Sequence, residues 1–280
     1  MLHIDDLTVK KEEDTILNGL TLTVSPGERV LLMGPNGSGK TSLARTILGD
    51  PSYEVVSGRM AFRPRSGPER PSCLENDLDL ESSSRPCGNQ KKSSHGNAGN
   101  KTEWLDLLGM SPQERARAGF FVGYQHPVSI PGVHSYTFLY TAYREIYSDK
   151  TKQMDHVAFE KQLNATAQML DMSGDLLGRG VNEGFSGGER KKLELLQMLV
   201  LSPAYVVLDE PDSGLDADTV KLVKKAVELL PVDTAVLLIS HDPSRLGIPS
   251  FDRIYVMKKG SIVQEGGQEI IEHVKSNGYE

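Results

Sequence analysis

The sequence has 280 residues, of which 38% are hydrophobic and 25% charged, an ordinary composition for a soluble globular protein. This length suffices for one large α/β domain whose core needs no disulfide bonds. The formal net charge of −7 argues against nucleic acid as a partner, because phosphate backbones bind basic surfaces. No apolar run approaches the roughly 20 residues that cross a bilayer, and the N-terminus has the character of neither a signal nor a transit peptide. We therefore expect a cytoplasmic protein with no direct membrane insertion.

The first part of the chain is predicted to contain three strands and a helix. Residues Leu2–Val9 alternate as a half-buried strand does, and Leu20–Val24 follows as a second strand before a Pro-Gly turn. Val30–Met33 is short and fully apolar, which is typical of a buried strand. It leads directly into a glycine-rich loop and the predicted helix Thr41–Leu48. This order of strand, loop and helix is the context that a phosphate-binding loop requires.

Between residues 63 and 102 the composition changes to Pro, Ser, Gly, Asn and charged residues, and large apolar side chains almost vanish. Such a segment buries too little apolar surface to offset the entropy lost on ordering. We expect a disordered or loosely ordered insertion; the alternative is a small arm that orders on a partner. Cys73 and Cys87 both lie here without a CxxC pair, which favours free thiols over a metal site.

After the insertion, helical periodicity and short apolar runs alternate. The predicted helices start at Ser111, where Ser-Pro supplies a cap and first residue, and continue with Tyr136–Tyr147, Ala158–Met169 and Asp218–Leu230. The predicted strands are Val206–Leu208, Ala235–Ile239 and a hairpin, Arg253–Gln264, which turns at Lys259-Gly260. Buried strands that alternate with helices indicate an α/β fold with a parallel core sheet.

The segment Gly-Pro-Asn-Gly-Ser-Gly-Lys-Thr fits the phosphate-loop pattern GxxxxGK[ST]. Its glycines let successive backbone N–H groups face phosphates, and the following helix adds the positive end of its dipole. Lys40 can reach the β- and γ-phosphates of ATP, and the Thr41 hydroxyl suits Mg²⁺. The alternative is a glycine-rich turn that contains lysine by chance. The predicted nucleotide-binding residues are Gly34, Pro35, Asn36, Gly37, Ser38, Gly39, Lys40, Thr41 and Ser42.

A second candidate element is the strand Tyr-Val-Val-Leu, which ends in Asp209 and Glu210. Packing offers no motive for two acids at the end of a buried strand, and that end is where open α/β sheets place ligands. Asp209 can hold Mg²⁺ through water, and Glu210 can orient or deprotonate an attacking water. The motif is weak alone and becomes strong after a phosphate loop.

A third element is Phe-Ser-Gly-Gly-Glu at 185–189, immediately before a predicted helix. A hydroxyl, backbone N–H groups and a helix N-terminus form a second possible phosphate cradle at Ser186 and Gly188. The alternative is an ordinary helix cap.

These elements together resemble the ABC ATPase family, because Ser-Gly-Gly-Glu between a phosphate loop and an Asp-Glu strand is similar to the family signature. The resemblance implies roles for elements that follow in the family's order. Gln125 corresponds to the Q-loop, which senses Mg²⁺ and the γ-phosphate. Ser213-Gly-Leu-Asp216 corresponds to the D-loop, and His241 to the switch histidine that contacts the γ-phosphate.

The resemblance implies a P-loop NTPase fold of ABC ATPase type, with a parallel core sheet, an antiparallel β subdomain and an α-helical subdomain. Residues 1–280 would form one domain, with the helical subdomain at about 126–185 and the insertion at about 63–102. It further implies a head-to-tail dimer, in which the signature of one subunit closes the ATP held by the other. The implied catalytic residues are Glu210, His241 and Gln125; Mg²⁺ would be held by Thr41, Gln125 and Asp209; Ser186, Gly188 and Asp216 would contact nucleotide.

Within the family the chain is most similar to the SufC group, the ATPases of Suf iron–sulfur cluster assembly. The similarity extends beyond the core motifs to Gln-His-Pro-Val-Ser-Ile-Pro-Gly-Val at 125–133 and Asp-Ser-Gly-Leu-Asp at 212–216. It implies ATP and Mg²⁺ as cofactors and scaffold partners similar to SufB and SufD. The chain shows no set of cluster ligands, so we expect it to power assembly without holding the iron.

Three features depart from the SufC pattern. The insertion has no counterpart in it, and Pro211 follows the acidic pair, as in many transporter subunits. No aromatic residue lies between Val9 and Ile16, where many ABC ATPases place the ring that stacks on adenine. Apolar contact from Val9 or Ile16 would be weaker than stacking.

Two other functions remain open from the sequence. One is the nucleotide-binding subunit of an ABC transporter, which would co-purify with a membrane permease instead of a soluble scaffold. The other is a DNA-repair or translation ATPase of ABC type, which the acidic charge balance and the single set of motifs disfavour.

Overall fold

The computed structural model describes residues 1–64, 104–125, 127–147 and 154–279. The predicted insertion, with both cysteines, lies outside the described residues except for Arg63 and Pro64. The strands are β1 (Leu2–Lys11), β2 (Asp14–Val24), β3 (Arg29–Met33), β4 (Glu54–Phe62), β5 (Leu105–Asp106), β6 (Phe120–Gly123), β7 (Ile130–His134), β8 (Gly180–Val181), β9 (Tyr205–Asp209), β10 (Ala235–Ile239), β11 (Arg253–Lys258) and β12 (Ser261–Gly266). The helices are α1 (Lys40–Leu48), α2 (Pro112–Arg117), α3 (Ser135–Ile146), α4 (His156–Met169), α5 (Gly187–Leu201), α6 (Ala217–Leu229) and α7 (Glu269–Asn277).

The central sheet has the strand order β12-β11-β3-β10-β9-β6. Its inner strands β11, β3, β10, β9 and β6 run parallel, and β12 closes one edge as the antiparallel arm of a hairpin. The carboxyl ends of β3, β9 and β10 therefore meet at one edge, the usual ligand edge of an open α/β sheet. The predicted parallel core sheet and the terminal hairpin at Lys259-Gly260 are confirmed.

Apolar residues cover both faces of this sheet. In β3, Leu31 and Met33 pack into the cluster on the side of α5 and α6, while Val30 and Leu32 pack into the cluster on the other side. Successive side chains of a strand point to opposite faces, so a strand buried on both sides must be apolar at every position. This explains why β3 carries a continuous run instead of an alternating pattern.

A separate antiparallel sheet with the order β2-β1-β4-β5 forms the predicted β subdomain. Its apolar side chains share one cluster with Val30 and Leu32, and Phe62 of β4 contacts Phe120 of β6 edge-on. The strands β4 and β6 were not among the predicted elements. The β subdomain rests directly on the core sheet, on the side opposite α5.

Helices α3 and α4, with the small β7–β8 pair, contribute to the other apolar cluster. Leu139, Tyr143 and Phe159 are fully buried there against Leu195 and Met198 of α5. The helices predicted at Tyr136–Tyr147 and Ala158–Met169 are confirmed with small differences in their bounds. We propose that these elements constitute the helical subdomain expected at 126–185. Among the described residues, no helix has the length and apolar character needed to cross a membrane.

Candidate nucleotide-binding site

The phosphate loop connects β3 to α1 at the carboxyl edge of the core sheet. Lys40, the first residue of α1, is 5% exposed, and its Nζ donates to the carbonyl oxygens of Gly34 and Pro35 at 2.9 Å each. Burial lowers the pKa of the Lys40 ammonium, and the nearby carboxylates of Glu210 and Asp209 oppose that shift. The Lys40 side chain thus folds back over the phosphate loop, and its ammonium group lies within that loop.

Two glycines allow the close packing of this loop. A Cβ on Gly34 would lie 2.3 Å from the carbonyl oxygen of Met257, so no residue larger than glycine fits at this position. Gly39 has a φ of 104°, and a Cβ there would approach the Met257 methyl group to 2.9 Å. The loop is therefore pressed against β11 and can present its backbone to a ligand on its other side.

Two buried oxygen atoms in this region have no hydrogen-bond partner among the described residues: the Ser38 hydroxyl and Oδ1 of Asp209. Thr41 hydrogen-bonds to the Asp209 carboxylate, whose pKa is nevertheless raised, because burial outweighs Thr41 and Lys40. Unpaired buried polar oxygens are costly, so both mark places for a ligand. A hydroxyl beside a carboxylate is the oxygen donor set that Mg²⁺ prefers, and the residues present fit that ion.

Glu210 is the meeting point of three separate loops. The Gln125 amide Nε2 donates to its Oε2 at 3.0 Å, and the His241 Nδ1 lies 3.5 Å from its Oε1. Its own backbone N–H donates to the carbonyl oxygen of Ile239 at 2.9 Å. The three predicted catalytic residues, separated by up to 116 positions in the sequence (125 to 241), are therefore in one cluster.

The predicted signature residues lie at a different place, at the N-termini of α5 and α6. Ser186 caps α5 in a reciprocal capping box with Glu189, so the capping alternative is what its side chain does here. Asp216 caps α6, accepting from the Thr219 N–H at 2.8 Å, and this bond lowers the pKa of its carboxyl. A Cβ on Gly188 would lie 3.3 Å from the Thr219 hydroxyl, so the two N-termini are adjacent.

Within the part of the chain that the structure describes, no hydrogen bond or ion pair joins Ser186, Gly188 or Asp216 to the phosphate loop or to Glu210. One subunit thus brings together the phosphate loop, Asp209, Glu210, Gln125 and His241. It presents the signature residues elsewhere.

Two side chains at the site were not predicted from the sequence. Asp212 is fully buried, and neither of its carboxylate oxygens has a hydrogen-bond partner among the described residues. Its carboxylate lies 3.8 Å from the Arg245 guanidinium, and burial raises its pKa. Asp212 closely follows Asp209 and Glu210 in the sequence, and this run of acids could have indicated that it belongs to the site. Tyr279 reaches the site from the C-terminal end, and no local pattern announces it. The suggestion of Val9 as an adenine contact is wrong, since that side chain is fully buried in the β subdomain; Ile16 is partly exposed.

The comparisons with known proteins agree with this geometry. The family model described as "ABC transporter" matches residues 17–213, well over half of the chain. This chain is an ABC ATPase. It is 35% identical over its whole length to "Probable ATP-dependent transporter SufC" of Escherichia coli, covering 97% of that protein. It is 33% identical to "ABC transporter I family member 6, chloroplastic" of Arabidopsis thaliana, again over its whole length and 72% of that relative.

Solved structures confirm the fold of this ABC ATPase. The dimeric bacterial ABC transporter cassette MJ0796 aligns with a TM-score of 0.65 over 95% of the chain and 98% of the cassette, at 18% identity. The same cassette bound to ADP and Pi aligns with a TM-score of 0.64. The predicted P-loop NTPase fold of ABC type and the SufC resemblance are thereby confirmed, and the chain is an ATPase that uses ATP with Mg²⁺.

Proposed function

We propose that this ABC ATPase powers Suf-type iron–sulfur cluster assembly, with ATP-driven head-to-tail dimerisation remodelling a scaffold similar to SufB and SufD. The observation that carries the catalytic part is the junction at Glu210, where Gln125 and His241 converge beside the phosphate loop. The full-length likeness to SufC supports the assembly role over other ABC functions.

Each residue at the junction has a distinct part in hydrolysis. The Glu210 carboxylate accepts the proton of the attacking water, and the Gln125 amide, bonded to the same carboxylate, orients that water. His241, next to the same carboxylate, would donate to the γ-phosphate. Lys40 would exchange the loop carbonyls for the β- and γ-phosphates, and Thr41, Asp209 and Gln125 would hold Mg²⁺. The ion, when bound, neutralises charge on the phosphate oxygens.

The proposed dimer is based on the signature residues, which lie away from the phosphate loop of their own subunit. Ser186, Gly188 and Asp216 lie at the N-termini of α5 and α6, where helix dipoles and backbone N–H groups favour an anion. In a second subunit, the same surface would cover the γ-phosphate bound to the first. Hydrolysis then depends on pairing, and a scaffold that holds two subunits raises their effective concentration.

The segment after the Q-loop is suited to dock the scaffold. Val128, Ile130 and Val133 are 73%, 37% and 38% exposed, so they do not simply fill the helical subdomain. Near the start of this segment the Asn182 side chain donates to the Val128 carbonyl at 2.8 Å, which holds the backbone in place. An apolar cavity of about 430 Å³ between β6 and α3, lined in part by Phe121, Phe138 and Ile146, offers further area for a scaffold helix.

The test is ATP turnover with and without a purified SufB–SufD-type scaffold. We expect Val128→Glu to lose most of the scaffold stimulation and to keep basal turnover, because a carboxylate in an apolar contact stays unpaired. Val157→Glu on α4 is the matched control, since this valine is also 73% exposed. Equal stimulation of both variants and the wild type would place the docking surface elsewhere.

A second candidate function is the nucleotide-binding subunit of a transporter, which the names of the relatives favour. Co-purification separates the two. Capture of a membrane permease, together with stimulation that requires lipid vesicles, would replace the assembly role with transport.

A further inference from the structure

The C-terminal helix α7 is anchored on the core sheet close to the nucleotide site. Ile270 is 1% exposed in the same apolar cluster as Ile254 and Val256, and Val274 and Tyr279 pack against that cluster. Gly278 follows the last residue of α7 with φ 72° and ψ −160°, a backbone conformation that glycine adopts more readily than other residues. The chain is thus turned so that the Tyr279 ring enters the fold, where it is partly buried.

The Tyr279 hydroxyl lies between two elements of the ATP site. It donates to the main-chain carbonyl oxygen of His241 at 3.3 Å. The backbone of Gly34, the first residue of the phosphate loop, lies next to the phenol oxygen and opposes the effect of burial on its pKa. Burial raises the pKa of this phenol, so the group is a neutral donor at physiological pH. One side chain therefore bridges the phosphate loop and the segment that carries the switch histidine.

The segment that follows β10 is held by turn hydrogen bonds around Asp242 and by the buried side chains of Leu246 and Phe251, and these restraints lie on either side of His241 or beyond it. Residues 240–252 contain only turns and bends, and the His241 side chain is 45% exposed. Among the described residues, the contacts that hold His241 itself are the Glu210 carboxylate on the imidazole and the Tyr279 hydroxyl on the main chain. The second contact acts on the main chain of His241, so it restrains the backbone without using either ring nitrogen.

We propose that Tyr279 is a positioning residue for ATP hydrolysis, which ties the main chain of His241 to the phosphate loop and so keeps the imidazole directed at the γ-phosphate position. This inference rests on the proposed role of His241. It makes the C-terminal end of the chain part of the catalytic apparatus. Because Lys40 and the Gly260–Ser38 backbone bond also hold the phosphate loop, we expect removal of the hydroxyl to affect the histidine more than the loop.

The experiment is Tyr279→Phe in the full-length chain, which removes the hydroxyl and keeps the ring. We expect kcat to fall about three- to ten-fold, the range for loss of one hydrogen bond, with the Kd for Mg·ATP within about two-fold of wild type. Amide hydrogen exchange at residues 240–246 should rise in the variant. Val274→Ala, which trims apolar packing of the same helix, is the control and should leave kcat and exchange at 240–246 unchanged.

Three results would overturn the proposal. Wild-type kcat in Tyr279→Phe would show that the hydroxyl does nothing for turnover. An equal loss of ATP affinity and kcat would indicate a structural role for the tail. A higher kcat would show that the phenol obstructs the site.

A double-mutant cycle separates this inference from the proposed function. If Tyr279 acts through His241, Tyr279→Phe should have no further effect on kcat in a His241→Ala background. Additive losses would contradict positioning through His241. Wild-type turnover of His241→Ala alone would instead remove the proposed role of the histidine, whatever Tyr279 does.

Discussion

At the scale of the residue, Glu210 combines chemistry with backbone strain. Its φ of 44° is in the left-handed region, which is uncommon for a residue with a side chain. The N–H bond to the Ile239 carbonyl keeps it there, and the side chain is held between Gln125 and His241. Such strain persists only where surrounding contacts over-determine it, and it clusters at functional sites.

We expect Glu210→Gln to retain ATP binding and to lose turnover by about a hundred-fold or more, because an amide of the same shape accepts no proton. The ATP-bound dimer should accumulate, which size-exclusion chromatography in the presence of Mg·ATP would detect. Glu228→Gln, an exposed glutamate on α6, is the control and should behave as wild type. Turnover of Glu210→Gln within a factor of two of wild type would assign the base to another group.

At the scale of the element, α5 connects the signature to the rest of the site. Lys191 and Glu194 form a buried ion pair on this helix. The Glu194 carboxylate also accepts a hydrogen bond from the backbone of Tyr124, directly before Gln125, and burial raises its pKa despite the lysine. Helix α5, which Ser186 caps, is therefore in contact with the base of the Q-loop.

Helix α1 is held at its other end by one buried arginine. The Arg115 guanidinium donates to the carbonyls of Thr46 and Ile47 at 2.7 and 2.8 Å, and to Met110 at 2.9 Å. Its charge sits at the negative end of the α1 dipole, at the far end of the helix from the phosphate loop.

We expect Arg115→Leu to lower the free energy of unfolding by about 2–4 kcal/mol, because three carbonyls, two of them in buried hydrogen bonds, lose a charged donor. Arg117→Leu on the same helix is the matched control. Arg117 pairs with Glu145 on the surface, and its loss should cost at most about 1 kcal/mol. Urea denaturation measures both, and similar losses for the two variants would contradict the capping role of Arg115.

The two ends of the predicted insertion also meet in the structure. The Arg63 guanidinium lies 4.7 Å from the centre of the Trp104 ring, and Tyr205 donates to the Arg63 carbonyl. A short linker can therefore join residues 64 and 104 without displacing β4 or β5.

We expect replacement of residues 66–100 by a short Gly/Ser linker to leave ATP turnover and Tm close to those of the full chain. The reason is that loop length changes closure entropy only slowly. Differential scanning calorimetry and a turnover assay check it. A large fall in Tm would mean that the segment contributes to the folded core, and a selective loss of scaffold stimulation would favour the alternative of a binding arm.

At the scale of the whole molecule, one subunit keeps the two predicted phosphate-binding elements apart. The phosphate loop with the cluster around Glu210 lies in one part of the subunit, and the signature surface at Ser186 lies in another. The exposed segment 127–133 lies beyond the Q-loop, so a partner bound there would act on Gln125 through a few residues of chain. This arrangement suits a protein whose hydrolysis is coupled to the position of two bound partners.

Much of the local structure could be predicted from the sequence, because it depends on residues that are neighbours in the chain. The phosphate loop, the acidic end of β9 and the helix cap at Ser186 are each formed by residues that are consecutive in the sequence. The order of residue types within each element therefore indicates its structure and chemistry. Continuous apolar runs likewise predicted the buried strands β3, β9 and β10. Strand β4 lacks so clear a pattern, whereas β6 carries the run Phe-Phe-Val and was overlooked.

Tertiary structure alone decided which distant residues meet. The distances that join Gln125 and His241 to Glu210 depend on how β6, β9 and β10 are ordered in the sheet, and no local pattern encodes that order. The same holds for Arg115 beneath α1 and for Tyr279 between Gly34 and His241. Such contacts arise because packing of the apolar faces fixes the positions of the elements, and polar side chains then bond to whatever the packing places beside them.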